Sequence, residues 1–130
     1  MPATQPIFPP SPTSPRSPAM TPIYKILRLP EWEQLARDGT SAGAPIDVAD
    51  GFIHFSGADT LQGTLDRWFT DRAPLVIAEL DADALGPELK WEPSRDGQLF
   101  PHLYAPLQHA HIIRHWRVEP NAAGRYEPGL

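Results

Sequence analysis

The sequence predicts an α+β domain built on a small split mixed sheet with two main helices. Two helix-like stretches alternate with strand-like runs in the order β-α-β-α-β, and strands then follow with little helix between them. One of those runs, Pro74 to Leu80 (PLVIAEL), is almost wholly apolar, as a strand covered on both faces should be. The chain has 130 residues and no cysteine, which suits a single domain without disulfides or thiolate metal sites.

Ile23 to Leu29 (IYKILRL) alternates well enough for a first strand. Pro30 stands where a helix can begin, and Glu31 and Glu33 favour its N-terminal dipole. Trp32, Leu35 and Ala36 form its apolar face, and Gly39 is placed to end it. Residues 40–50 read as a loop. Gly51 to Ser56 (GFIHFS) reads as a short strand, with Asp59 or Thr60 opening the next helix. Leu61, Leu65, Trp68 and Phe69 make the clearest helical stripe in the chain, so Trp68 is expected in the core. After the apolar strand come a helical turn from Asp81 to Gly86 and a short strand from Leu89 to Trp91. A loop from Pro93 to His102 and a long last strand from His109 to Val118 follow. From Pro120 onward the chain reads as turn-like and mobile.

The domain is expected to span residues 21–130. Residues 1–20 hold 7 of the 17 prolines, interspersed with Ser and Thr, and too few apolar groups to offset the cost of ordering. They read as a disordered tail, or as the product of an upstream start, since Met20 leads straight into the first strand. A spacer, or a ligand for a proline-recognition domain, is the functional alternative.

The net charge is −5, and Arg16 is the only charged residue among the first 20. An acidic domain lacks the clustered Lys and Arg that grip nucleic-acid backbone, so general nucleic-acid binding is not expected. No run approaches the ~18 apolar residues of a membrane span, and no signal-peptide pattern opens the chain. A cytoplasmic location is the expectation. Dinucleotide-fold glycines, P-loops, nucleophile elbows and zinc-protease helices are absent.

Three clusters could carry chemistry. In GFIHFS, alternation puts Phe52, His54 and Ser56 on one face of a mostly apolar strand. His54 can donate and accept protons near neutral pH, and Ser56 can orient a ligand hydroxyl. A half-exposed strand with a satisfied histidine explains the same pattern. The second cluster runs from Trp91 to Tyr104. Trp91 and Tyr104 offer stacking surface, Arg95 a fork for phosphate or carboxylate, and His102 a second imidazole. A surface loop whose aromatics close the core is the alternative. The third is His109, His111 and His115, expected on one face of the last strand, where a solvent-facing polar strand explains them better than zinc. Glu79 and Glu92 are candidate general bases, and sequence does not choose between them.

Together, DGFIHFS, LKWEPS and LFPHLY followed by PL, in order and at suitable spacing, resemble the bacterial family catalogued as domain of unknown function 952. The resemblance covers Ile23 to about Pro120. That family resembles the ADP-ribosyltransferase superfamily, in particular the catalytic part of tRNA 2′-phosphotransferase. The resemblance implies an ADP-ribosyltransferase-like split sheet that holds NAD or an ADP-ribose unit in a cleft. It implies a ribose-contact role for His54 and Ser56, with Ile23–Leu29 as the second gripping strand, bearing Tyr24, Lys25 and Arg28. His102 and Tyr104 occupy the region where that superfamily carries a Glu motif, which this sequence does not match.

The resulting expectation is a domain that binds NAD, or a related nucleotide, as substrate and transfers or hydrolyses its ADP-ribosyl group. His54 and His102 would act at the reacting centre, Ser56 at the ribose, Arg95 at the diphosphate, and Trp91 or Tyr104 against a ring. No metal is expected. The rival is a non-catalytic module that binds a nucleotide or another small polar metabolite. In either case His54 and His102 should line one cleft, with the apolar strand Leu75 to Leu80 between them.

Overall fold

Alternating apolar side chains commit the first strand to burial on both faces, and everything else is arranged around it. The computed structural model describes residues 20–94 and 97–130, so the proline-rich tail, apart from Met20, lies outside the described residues. β1 (Pro22–Arg28) sends Ile23 and Leu27 into one core cluster and Tyr24 and Ile26 into another. β4 (Leu75–Asp81) pairs with it antiparallel and divides in the same way, with Ala78 and Leu80 on one side and Leu75 and Ile77 on the other. Leu75 to Leu80 are all buried, as the apolar run requires. Each such Leu or Ile stabilises the fold by about 1.5–3 kcal/mol. β8 (Ile112–Val118) completes this sheet, in the order β1-β4-β8.

A second sheet has the order β3-β6-β5, formed by β3 (Ile53–His54), β5 (Leu89–Pro93) and β6 (Leu99–Leu103). A backbone bridge between Tyr24 and Ser56 joins the two sheets. β2 (Thr40–Ser41) and β7 (Leu107–Gln108) form a separate short pair. The helices are α1 (Leu29–Asp38), α2 (Pro45–Asp50) and α3 (Leu61–Trp68). α1 packs Leu35 on the first core cluster, and α3 packs Leu61 and Leu65 on the second. None of the described helices is long and apolar enough to cross a membrane.

The α+β class and the split sheet agree with the sequence, but the mixed pairing does not. Among the described residues all strand pairs are antiparallel. Alternation shows which strands are buried and is silent on which of them pair. Residues 40–50 are not simply a loop, because they contain β2 and α2. The expected loop from Pro93 to His102 is instead mostly the β5–β6 hairpin. Pro101 sits opposite Trp91 in that pairing, and its carbonyl accepts the Phe55 N–H at 3.0 Å.

Two burial expectations also fail. Trp68 is 56 % exposed, since α3 ends at that residue and Leu61 and Leu65 already fill the core face. The C-terminal segment is docked. Tyr126 is 1 % exposed within the second core cluster, and its hydroxyl donates to the Ala73 carbonyl at 2.6 Å. The Trp116 indole donates to the Pro128 carbonyl at 2.7 Å. A single aromatic anchor produces no periodicity, so the sequence pattern concealed it.

Candidate functional site

The site begins at the start of α2. Pro45 occupies the first turn, and the Asp47 carboxylate reaches back to accept the Ala44 N–H at 2.7 Å. Gly51, at φ 85°, ends the helix in the left-handed conformation that glycine adopts without strain, and the chain turns directly into β3. β3 then lies back along its own helix, and the Asp47 carboxylate meets it. Oδ1 accepts the His54 N–H at 3.0 Å and lies 2.6 Å from His54 Nδ1. Oδ2 accepts from Lys25 Nζ, on β1, at 2.8 Å, and Lys25 also donates to the His54 carbonyl at 3.1 Å.

Asp47 has no exposed side-chain surface, and Lys25 is 5 % exposed. Burial alone would push the Asp47 carboxyl up. The His54 hydrogen bond and the Lys25 charge outweigh it and hold the group at about 2. An ionised carboxylate only accepts, so His54 donates from Nδ1. Its other ring nitrogen lies 3.0 Å from Asp50 Oδ2, a contact that becomes an ion pair when the ring is protonated.

β6 places His102 directly opposite His54, since the two are register partners in the β3–β6 pair. Their ring centroids are 5.4 Å apart. His102 Nδ1 lies 2.8 Å from Glu92 Oε1, and the Tyr104 hydroxyl donates to the same oxygen at 2.7 Å. Hydrogen bonds from Tyr104 and then His102 lower the Glu92 carboxyl, while the same contact raises the Tyr104 phenol. His102 therefore donates from Nδ1, and among the described residues Nε2 has no hydrogen-bond partner. Phe52 packs against both imidazoles, with centroids 4.6 Å from His54 and 4.2 Å from His102, and also against Tyr104 at 5.2 Å.

Both histidines line a cavity of about 710 Å³. Such a volume suits a small-molecule ligand. Ser56 lines it too, and its hydroxyl donates to Thr64 Oγ1, on α3, at 3.0 Å. The structure thus brings His54, His102 and Ser56 onto one wall. Contrary to expectation, the central strand does not lie between the two histidines, because they pair directly and β4 belongs to the other sheet.

Trp91 and Tyr104 are 42 % and 41 % exposed and are not on that wall. Arg95 lies outside the described residues. Glu79 is buried, and its carboxylate accepts from Arg114 at 2.7 Å, off the cavity wall. His109, His111 and His115 do not share a strand face. The first two lie in a short 3-10 turn before β8, and His109 and His115 both pack on the Trp32 ring.

Sequence reasoning missed Asp47 altogether and gave Lys25 no partner. A signal for Asp47 was present: proline, then an acid two residues later, then glycine after one more turn marks a short capped helix.

The chain resembles protein CC0527 from Caulobacter crescentus. The crystal structure of that protein is 42 % identical, covers 84 % of this chain and 96 % of its own, and superposes with a TM-score of 0.80. Its solution structure, also 42 % identical, covers 85 % of this chain and 94 % of its own with a TM-score of 0.73. No curated protein matches the chain. The family model for the protein of unknown function DUF952 matches residues 26–115. The chain, from the paired strands β1 and β4 to the His54–His102 wall, belongs to the DUF952 family.

Proposed function

We propose that the domain binds NAD, or a related ADP-ribosyl compound, in the His54–His102 cavity and transfers or hydrolyses its ADP-ribosyl group. The observation that supports this most is the meeting of two imidazoles and a serine hydroxyl on one wall of a nucleotide-sized cavity. The resemblance of the DUF952 family to the ADP-ribosyltransferase superfamily supports it further, as does a split sheet bridged between Tyr24 and Ser56. In this reading Ser56 and His54 orient the hydroxyls of the ribose next to nicotinamide. His102 Nε2 accepts the proton of the attacking water or acceptor hydroxyl while the C1′–nitrogen bond breaks. Nicotinamide leaves with the electron pair of that bond.

One observation favours a binding module without chemistry. Glu79 and Glu92, the two carboxylates singled out from the sequence as candidate bases, are both off the cavity wall, so neither meets a ribose hydroxyl as a catalytic Glu would. Incubating the protein with NAD and measuring nicotinamide release separates the two. Release that His102→Ala abolishes is expected. NAD binding without release establishes the module instead, and no binding of NAD or ADP-ribose at millimolar concentration contradicts both.

A further inference from the structure

Glu92 lies off the cavity wall and yet is bound to a residue on it. β5 and β6 pair so that His102 stands opposite Lys90, and Glu92 opposite Phe100. Glu92 therefore shares a sheet face with Lys90 and His102, two residues along from Lys90. Its carboxylate crosses that diagonal. One oxygen, Oε1, accepts the His102 Nδ1–H at 2.8 Å and the Tyr104 hydroxyl at 2.7 Å. Two donors converging on one oxygen fix the carboxylate as well as the ring. The Tyr104 bond first, and the His102 bond next, hold the Glu92 carboxyl below its ordinary range, so near neutral pH it only accepts.

The Glu92 side chain is 35 % exposed, whereas that of His102 is 11 % exposed and lines the cavity. One imidazole thus links the partly exposed Glu92–Tyr104 pair to the cavity. Nδ1 and Nε2 lie on opposite sides of the ring, so a ring held at Nδ1 by Glu92 turns Nε2 the other way. His54 is built differently. Its Nδ1 also meets a carboxylate, that of Asp47, but its Nε2 lies 3.0 Å from Asp50. Of the two imidazoles, His102 is the one held by a carboxylate at a single nitrogen among the described residues. A carboxylate on Nδ1–H is a general device for fixing the tautomer and direction of a working imidazole. We propose that Glu92 is a positioning residue, which keeps the His102 proton on Nδ1 and turns Nε2 to the cavity as the proton acceptor, with Tyr104 steadying Glu92. This rests on the proton-accepting role given to His102 above. Glu92 then contributes without touching the ligand.

The tautomer is read directly from the nitrogen NMR shifts of the His102 ring, at about pH 8, where an imidazole is ordinarily neutral. Wild type is compared with Glu92→Ala and Glu92→Gln, alongside nicotinamide release from NAD. A neutral imidazole without a partner favours the proton on Nε2. Wild type should therefore show Nδ1–H, and Glu92→Ala should move the proton to Nε2. Glu92→Gln, whose side-chain carbonyl can still accept from Nδ1, should keep it in place. Glu92→Ala should lower kcat for nicotinamide release by about tenfold or more, with KM for NAD little changed, and Glu92→Gln should restore part of it. Tm should fall by no more than about 5 °C, since Glu92 is partly exposed. If Glu92→Ala does not fold, Glu92→Lys supplies the same reading, because an ammonium only donates and so demands a bare Nδ1. Nε2–H in wild type, or a proton that stays on Nδ1 in the Ala and Lys variants, would overturn the proposal and leave the reading of the cavity standing. A proton that moves with kcat unchanged would overturn it too. A proton that moves as expected, in a protein that releases no nicotinamide, keeps Glu92 as the residue that orients His102 and removes the ADP-ribosyl reading.

Discussion

Asp47 meets α2, β1 and β3 with one carboxylate. It accepts from Ala44, Lys25 and His54, and it is buried while doing so. Removing its charge leaves Lys25 buried without its counter-ion, a kind of loss that costs about 3–5 kcal/mol. Asp47→Asn should therefore lower stability by that order in urea unfolding. The pH dependence follows from the same group. Its folded value of about 2 lies below the ordinary 3.8, so the unfolded chain takes up the proton first as pH falls. The stabilisation is complete above about pH 4 and is lost as pH drops through 2, amounting to ~2 kcal/mol. Urea unfolding at pH 5, 3 and 2 should show this loss, and Asp47→Asn should flatten it. His54→Ala and His102→Ala behave differently. Both side chains lie at the cavity wall, so their loss should weaken ligand binding more than stability, with thermal unfolding and titration read side by side.

At the scale of elements, α3 and the C-terminal segment make opposite predictions from similar-looking residues. Leu65 is fully buried and Trp68 is more than half exposed at the cavity. Leu65→Ala should cost about 2–5 kcal/mol, and Trp68→Ala should cost far less, measured by chemical denaturation. Comparable losses would mean that Trp68 supports the core after all. Tyr126 fills a core site from a stretch that looks like a frayed end. Tyr126→Ala should cost about 3–5 kcal/mol, whereas a mobile terminus would show almost no change.

Across the whole molecule, strand identity was legible and strand partnership was not. β1 and β4 announced themselves through alternation and apolar content, and α1 and α3 through their stripes. The antiparallel pairing of β4 with both β1 and β8, and the separate β3-β6-β5 sheet, depend on contacts between distant segments that no local pattern encodes. The site followed the same rule. His54, Ser56 and His102 could be singled out because polar groups in apolar strings are conspicuous. Asp47 could not, because its importance comes from folding α2 back onto β3 and β1. Trp91 and Tyr104 were misplaced because a dense aromatic hairpin looks alike whether it lines a cavity or closes a sheet edge.

The central claim is that His54 and His102 together face one ADP-ribosyl ligand. Titration of the protein with ADP-ribose, followed through the imidazole signals of both histidines by NMR, tests it most directly. Both rings should shift along one binding curve with a single Kd, and His102→Ala should weaken the curve read at His54. Saturating ADP-ribose that moves neither ring, or moves one without the other, would contradict it.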